Sequence, residues 1–149
     1  MASRLKPSSG LQHFIDAQDA VYQQVTEELK HGEKRSHWMW FIFPQLIGLG
    51  SSAMAKRYAI ADRSQAAAYL AHPVLGARLR ECVRLVTSHR DRTAAEIFGY
   101  PDYLKLHSSL TLFHDVDTSE SAFTQALDRL YGGSPDEATL NLLHELKHS

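Results

Sequence analysis

The chain has 149 residues, 44% hydrophobic and 22% charged, with a formal net charge of −1. Its size and balance suit a folded globular chain, exclude disordered and fibrous classes, and offer no general attraction to nucleic acid or anionic lipid. One cysteine excludes an internal disulfide, and no secretion signal or apolar run of the ~18 residues needed to span a membrane is visible, so a soluble, cytoplasmic protein is expected.

Residues 1–10, MASRLKPSSG, read as a flexible segment ahead of a single helical domain over 11–149. Ser9 and Gln12 have capping-box spacing, and Phe14, Ala17, Val21, Val25 and Leu29 then recur every three or four residues. Lys30 and His31 suit the end of that helix and Gly32 its stop. The next stretch, SHWMWFIFPQLIGLGSS (Ser36 to Ser52), reads as a connector. Pro44 ends any helix from His37 at Phe43, Gly48 and Gly50 permit a tight turn, and Ser51 or Ser52 can cap a helix through Met54, Tyr58 and Ala61.

Asp62 with Gln65 opens a short helix through Ala66 to Leu70, closed by His72-Pro73. Leu75, Leu79, Cys82 or Val83, and Val86 mark one face of another, on which Cys82 is an inert packed thiol. Thr93 and Glu96 form a capping box before a turn ending at Gly99. Tyr103, Leu106 or His107, Leu110 and Phe113 have helical spacing, although SSLTLF also suits a strand. Phe123, Ala126 or Leu127, and Leu130 precede a stop at Gly132-Gly133. The last helix opens with Ser134 as cap, Pro135 first and Glu137 third, followed by Leu140, Leu143 and Leu146. The expectation is a mainly α fold, a compact bundle of about six to eight helices. At most a minor strand pair is expected, from Trp38–Phe43 and Leu110–Phe113.

The aromatic block carries the functional question. Six consecutive apolar residues cannot all face water, so Met39, Phe41 and Ile42 are expected in the core. A core crossing does not need the polar flank, however: Lys34, Arg35 and His37 precede the block and Gln45 follows it. An anionic or nucleotide-like small molecule would use such a set, with Trp38 and Trp40 to stack on, cations for phosphate and an amide for orientation. The GLGSS turn adds a potential nest of backbone N–H groups.

Asp16 and His37 are the acid–base candidates of a hydrolytic reaction at that site, Asp16 having the alternative of an ion pair with Lys34 or Arg35. Tyr58, Arg78 and Lys105 complete the ligand-binding candidates, with core, surface and ion-pair roles as their plain alternatives. Convergence of Lys34, His37 and Gln45 on one concavity would favour this site. Scatter would favour a non-enzymatic interaction module in which the block is core or docks a protein.

Other motifs are weaker. HELKH, His144 to His148, matches the zinc-protease pattern, but no third ligand follows it, and no metal or cofactor is expected. PDYLKLHSSLTLFHD gathers Asp102, Lys105, His107, Ser108, Ser109 and His114. It contains no GxSxG elbow, and capping or turn roles fit these residues better. Neither a P-loop nor a GxGxxG fingerprint occurs.

FIDAQD, GEKRSHWMWFIFPQLIGLGSS, YLAHPVLGARL and EIFGYPDYLKLHSSLTLF together resemble the bacterial family known as domain of unknown function 1810, over about residues 11 to 145. The resemblance implies one mainly α-helical domain of bacterial origin and no particular activity. Members are often labelled calpastatin, a label that does not suit this chain, since that inhibitor is a long disordered chain of repeated motifs.

Overall fold

The structure, a computed structural model, describes residues 10–147. Nine helices are present among them: α1 (Gln12–His31), α2 (Met39–Ile42), α3 (Ala53–Arg57), α4 (Arg63–Ala71), α5 (Leu75–Thr87), α6 (Ala94–Phe98), α7 (Asp102–Val116), α8 (Ser121–Tyr131) and α9 (Glu137–Lys147). The fold is all-helical, as the periodicity predicts. The number exceeds six to eight because α2, α3 and α6 are helices of about one turn. Among the described residues the strand content is one isolated parallel bridge, Leu46 with Ile60.

Local chemistry sets most helix ends. Gly32 stops α1 in the left-handed conformation (φ 73°), and its N–H caps the carbonyls of Glu28 and Leu29. Asp62 accepts from Gln65 N at 2.8 Å at the start of α4, and both bonds of the Thr93–Glu96 capping box are made. Ser52 caps α3, which stops at Arg57, short of the predicted Ala61.

Two ends differ from expectation. Ser9 lies outside the described residues, and α1 begins at Gln12 after Leu11 without a side-chain cap. At α9 the cap is Asp136 rather than Ser134, because its Oδ2 accepts from Thr139 N (3.2 Å) and Thr139 Oγ1 (2.5 Å). Two bonds from α7 fix it there: Ser108 Oγ donates to the same oxygen at 3.0 Å, and Asp136 N donates to Thr111 Oγ1 at 2.9 Å.

Both strand candidates are helical. Met39–Ile42 forms α2 with Trp38 and Phe43 as its caps, and Leu110–Phe113 lies within α7. Leu106 and every residue from Ser108 to Phe113 are buried, so the middle of α7 is covered on all sides and shows no amphipathic period. Two of its hydroxyls reach the helix's own backbone, Thr111 donating to His107 O and Ser108 sharing its hydrogen between Leu104 O and Asp136, while that of Ser109 has no partner.

The packing order follows from side-chain bonds. Tyr22–Glu81, Cys82–Tyr22, Arg78–Gln18 and His89–Leu29 all join residues 59 or 60 apart. A constant offset over successive turns means that α1 and α5 run parallel and in register. The α5–α8 bonds, Arg80–Glu120 and Arg129 to the carbonyls of Thr87 and His89, likewise keep an offset of 40 or 42, so α5 packs against two helices running in its own direction. α7 packs against α4, α6, α8 and α9. An aromatic chain crosses these layers from Phe14 to Tyr69 (5.2 Å between centroids), Phe113 (5.4 Å) and Phe123 (6.1 Å).

Candidate functional site

Helix α1 holds the aromatic connector at both ends with two polar side chains. Trp38 is 1% exposed, and its indole N–H donates to Glu28 Oε1 at 3.0 Å. The buried Glu28 carboxylate also accepts from Arg35 N (2.7 Å), Ser36 N (3.1 Å), Ser36 Oγ (2.6 Å) and Gln24 Nε2 (3.2 Å). Burial pushes its pKa up, but the bonds from Ser36, Arg35 and Trp38 together outweigh burial and hold it down to about 2. Near the other end of α2, buried Gln18 donates to Phe41 O (2.7 Å) and Tyr69 Oη (3.0 Å) and accepts from Arg78 at 3.3 Å.

The cationic flank meets the start of α7. Lys34 Nζ lies 2.9 Å from Asp102 Oδ2, donates to Ser36 O at 2.5 Å, and sits 5.0 Å from the Trp38 ring centroid. Its side chain is only 7% exposed. Lys105 takes the other oxygen, Oδ1, at 3.2 Å and lies 5.1 Å from the Trp40 ring centroid. One carboxylate thus serves two ammonium groups, each beside a tryptophan. Trp40 is half-buried, unlike Trp38, and Tyr100, two residues before Asp102, is 80% exposed. Four of the predicted residues therefore come together: Lys34, Trp38, Trp40 and Lys105.

The remaining candidates fall elsewhere. Asp16 is exposed and accepts from Gln12 Nε2 at 2.9 Å rather than pairing with Lys34 or Arg35. Arg35 points outward to Glu33, at 3.2 Å, and His37 is exposed. Gln45 is half-buried, its carbonyl accepting from Ile60 N in the bridge. Tyr58 is buried among His13, Phe14 and Phe41. Arg78 pairs with Asp19 at 2.8 Å and lies over the Tyr22 ring.

The Gly-Leu-Gly turn is exposed at both glycines, though neighbouring side chains stand close to each. A side chain at Gly48 would meet Leu142, and one at Gly50 would come within 2.6 Å of Ala55. Four surface cavities are lined by residues of α5 and α8, of α4, α7 and α9, of α1 and the segment after it, and of α1 alone. Lys34, His37 and Gln45 line none of these four.

The Ser/His/Asp set in α7 is dispersed. His107 stacks on Tyr131 and bonds Ser134 O, Ser108 bonds Asp136, and His114 faces Thr124. His144 is exposed, and His148 lies outside the described residues. Among the described residues no group of three or more His, Cys, Asp or Glu is placed to hold a metal ion. Cys82 is buried, and burial pushes its thiol up to about 12, which keeps it inert.

Sequence reasoning missed Glu28 and the bridging role of Asp102. Glu28 did leave a signal: it stands three residues after Val25 and seven after Val21, on the stripe that faces inward, where a carboxylate needs partners. Asp102 left none, because a carboxylate opening a helix suits a cap equally well.

The pattern of the family described as "Protein of unknown function (DUF1810)" matches residues 8–143. The crystal structure of a conserved hypothetical protein from Mycobacterium tuberculosis is similar at 51% identity and a TM-score of 0.88, over 90% of this chain and 96% of that one. No curated protein matches. The family pattern spans α1, the aromatic connector and α7, and the chain belongs to the DUF1810 family of proteins of unknown function.

Proposed function

We propose that this protein binds a small anionic ligand carrying a flat ring, of the nucleotide class, where Trp40 meets Lys105. The observation that carries the reading is the charge imbalance around Asp102. Two ammonium groups share its single carboxylate, which leaves a positive charge beside the one tryptophan that is not fully buried. A ring would stack on the outer part of the Trp40 indole and its phosphate would take Lys105. Lys34 and Trp38 are committed to the protein interior and serve to position Asp102. Asp16 and His37 are exposed and share no hydrogen bond or ion pair with these groups, so the reading stops at binding. The lone buried thiol suits a cytoplasmic setting.

Intrinsic fluorescence tests it directly, because Trp38 is shielded and ring stacking would quench Trp40. Titration with AMP, ADP and ADP-ribose should quench emission. It should also stabilise the fold by about 2.7 kcal/mol at a hundred times the dissociation constant, raising the unfolding temperature by several degrees at this size. Lys105→Ala should fold normally and lose both effects. Silence across the panel with folded protein, or an unchanged response in Lys105→Ala, would reject the site.

A further inference from the structure

We infer that the cleft between α5 and α8 is a separate anion site, taking the phosphate groups of a phosphorylated small molecule. The cleft has a volume of about 510 Å³ and is lined by Arg84, Arg90 and Arg129, with Gln125 and Asp128 on the α8 side. That volume exceeds what a bare phosphate ion requires and suits a phosphate carried on a larger molecule.

The three arginines are not equivalent. Arg129 is fixed: its Nε donates to Thr87 O at 2.8 Å and its Nη2 to His89 O. That satisfies carbonyls at the end of α5 and leaves Nη1 without an internal partner. Arg84 and Arg90 are exposed, and their side chains make no ion pair or hydrogen bond among the described residues. Asp128 lines the same cleft and pairs with none of the three.

Cations near a helix C-terminus often do no more than offset its dipole. Here that need is met by Arg129 alone, and the helix end counts for roughly half a negative charge. Adding Asp128 still leaves the three guanidinium groups in excess, in a chain whose formal net charge is −1. Guanidinium forks match phosphate oxygens two at a time, and the bound Arg129 presents one such edge already oriented.

The test uses inorganic pyrophosphate, which has no ring and does not call on Trp40. Thermal unfolding of the whole protein is followed against pyrophosphate, orthophosphate, a sugar phosphate and sodium chloride at matched ionic strength. Pyrophosphate and the sugar phosphate should raise the unfolding temperature by several degrees over chloride. Arg84→Gln and Arg90→Gln should each weaken that response about tenfold, while unfolding as wild type without ligand, since neither side chain bonds internally. Lys105→Ala should respond as wild type, which separates this site from the one at Trp40. Equal shifts with chloride, or full responses in both arginine variants, would overturn the inference.

Discussion

Glu28 carries more of the site's geometry than any residue that would touch a ligand. Its carboxylate gathers three backbone or indole N–H groups on one oxygen and two side chains on the other, and so fixes the turn from Arg35 to Trp38. The folded pKa near 2 lies below the ordinary 4.5, so the stabilisation is fully present above pH 4.5 and is lost as pH falls toward 2. The difference is worth about 3 kcal/mol. Urea unfolding at pH 7 and pH 3 should show a drop in wild type that Glu28→Gln largely lacks, the variant being weaker already at pH 7.

Ser109 presents the reverse case, a buried hydroxyl with no hydrogen-bond partner in the middle of α7. Ser109→Ala removes an unsatisfied group and adds helix propensity, so stability from urea unfolding should stay level or rise by up to about 1 kcal/mol. A loss of more than that would show that the hydroxyl has a partner.

At the scale of elements, Gly76 has the least room for a side chain of the described glycines. A Cβ there would stand 2.1 Å from Leu70 O, at the turn from α4 into α5, with backbone rather than a flexible side chain opposite. Gly76→Ala should therefore cost at least about 1–3 kcal/mol despite its better helix propensity, seen as a lowered unfolding temperature. Helix ends of this kind were legible in the sequence wherever the cap and its partner are close in the chain, as at Thr93–Glu96, Asp62–Gln65 and Gly32. They were misread where a distant element decides: α9 is capped by Asp136 because α7 supplies Ser108 and Thr111. The site divides on the same line. The aromatic block and its flanking lysine could be read from composition, whereas the partner that organises them, Asp102, comes from another helix and could not.

For the whole molecule, α5 is the shared partner of α1, α4 and α8, and α7 of α4, α6, α8 and α9. With both helices embedded in one buried cluster, residues 11–147 should unfold as a single cooperative unit. Tryptophan fluorescence, far-ultraviolet and near-ultraviolet circular dichroism should then give coincident transitions. Separate transitions would divide the chain into two units.

The parallel pairing of α1 with α5 also imposes a schedule. The α1–α5 register is set between residues 59 or 60 positions apart in the chain. At a synthesis rate of about 5–20 residues per second, α5 reaches the ribosomal exit roughly 3–12 s after α1 does. Throughout that interval α1 can lean on α2 and α4, which follow it sooner, but the face that meets α5 at Gln18, Tyr22 and Leu29 still waits for its partner.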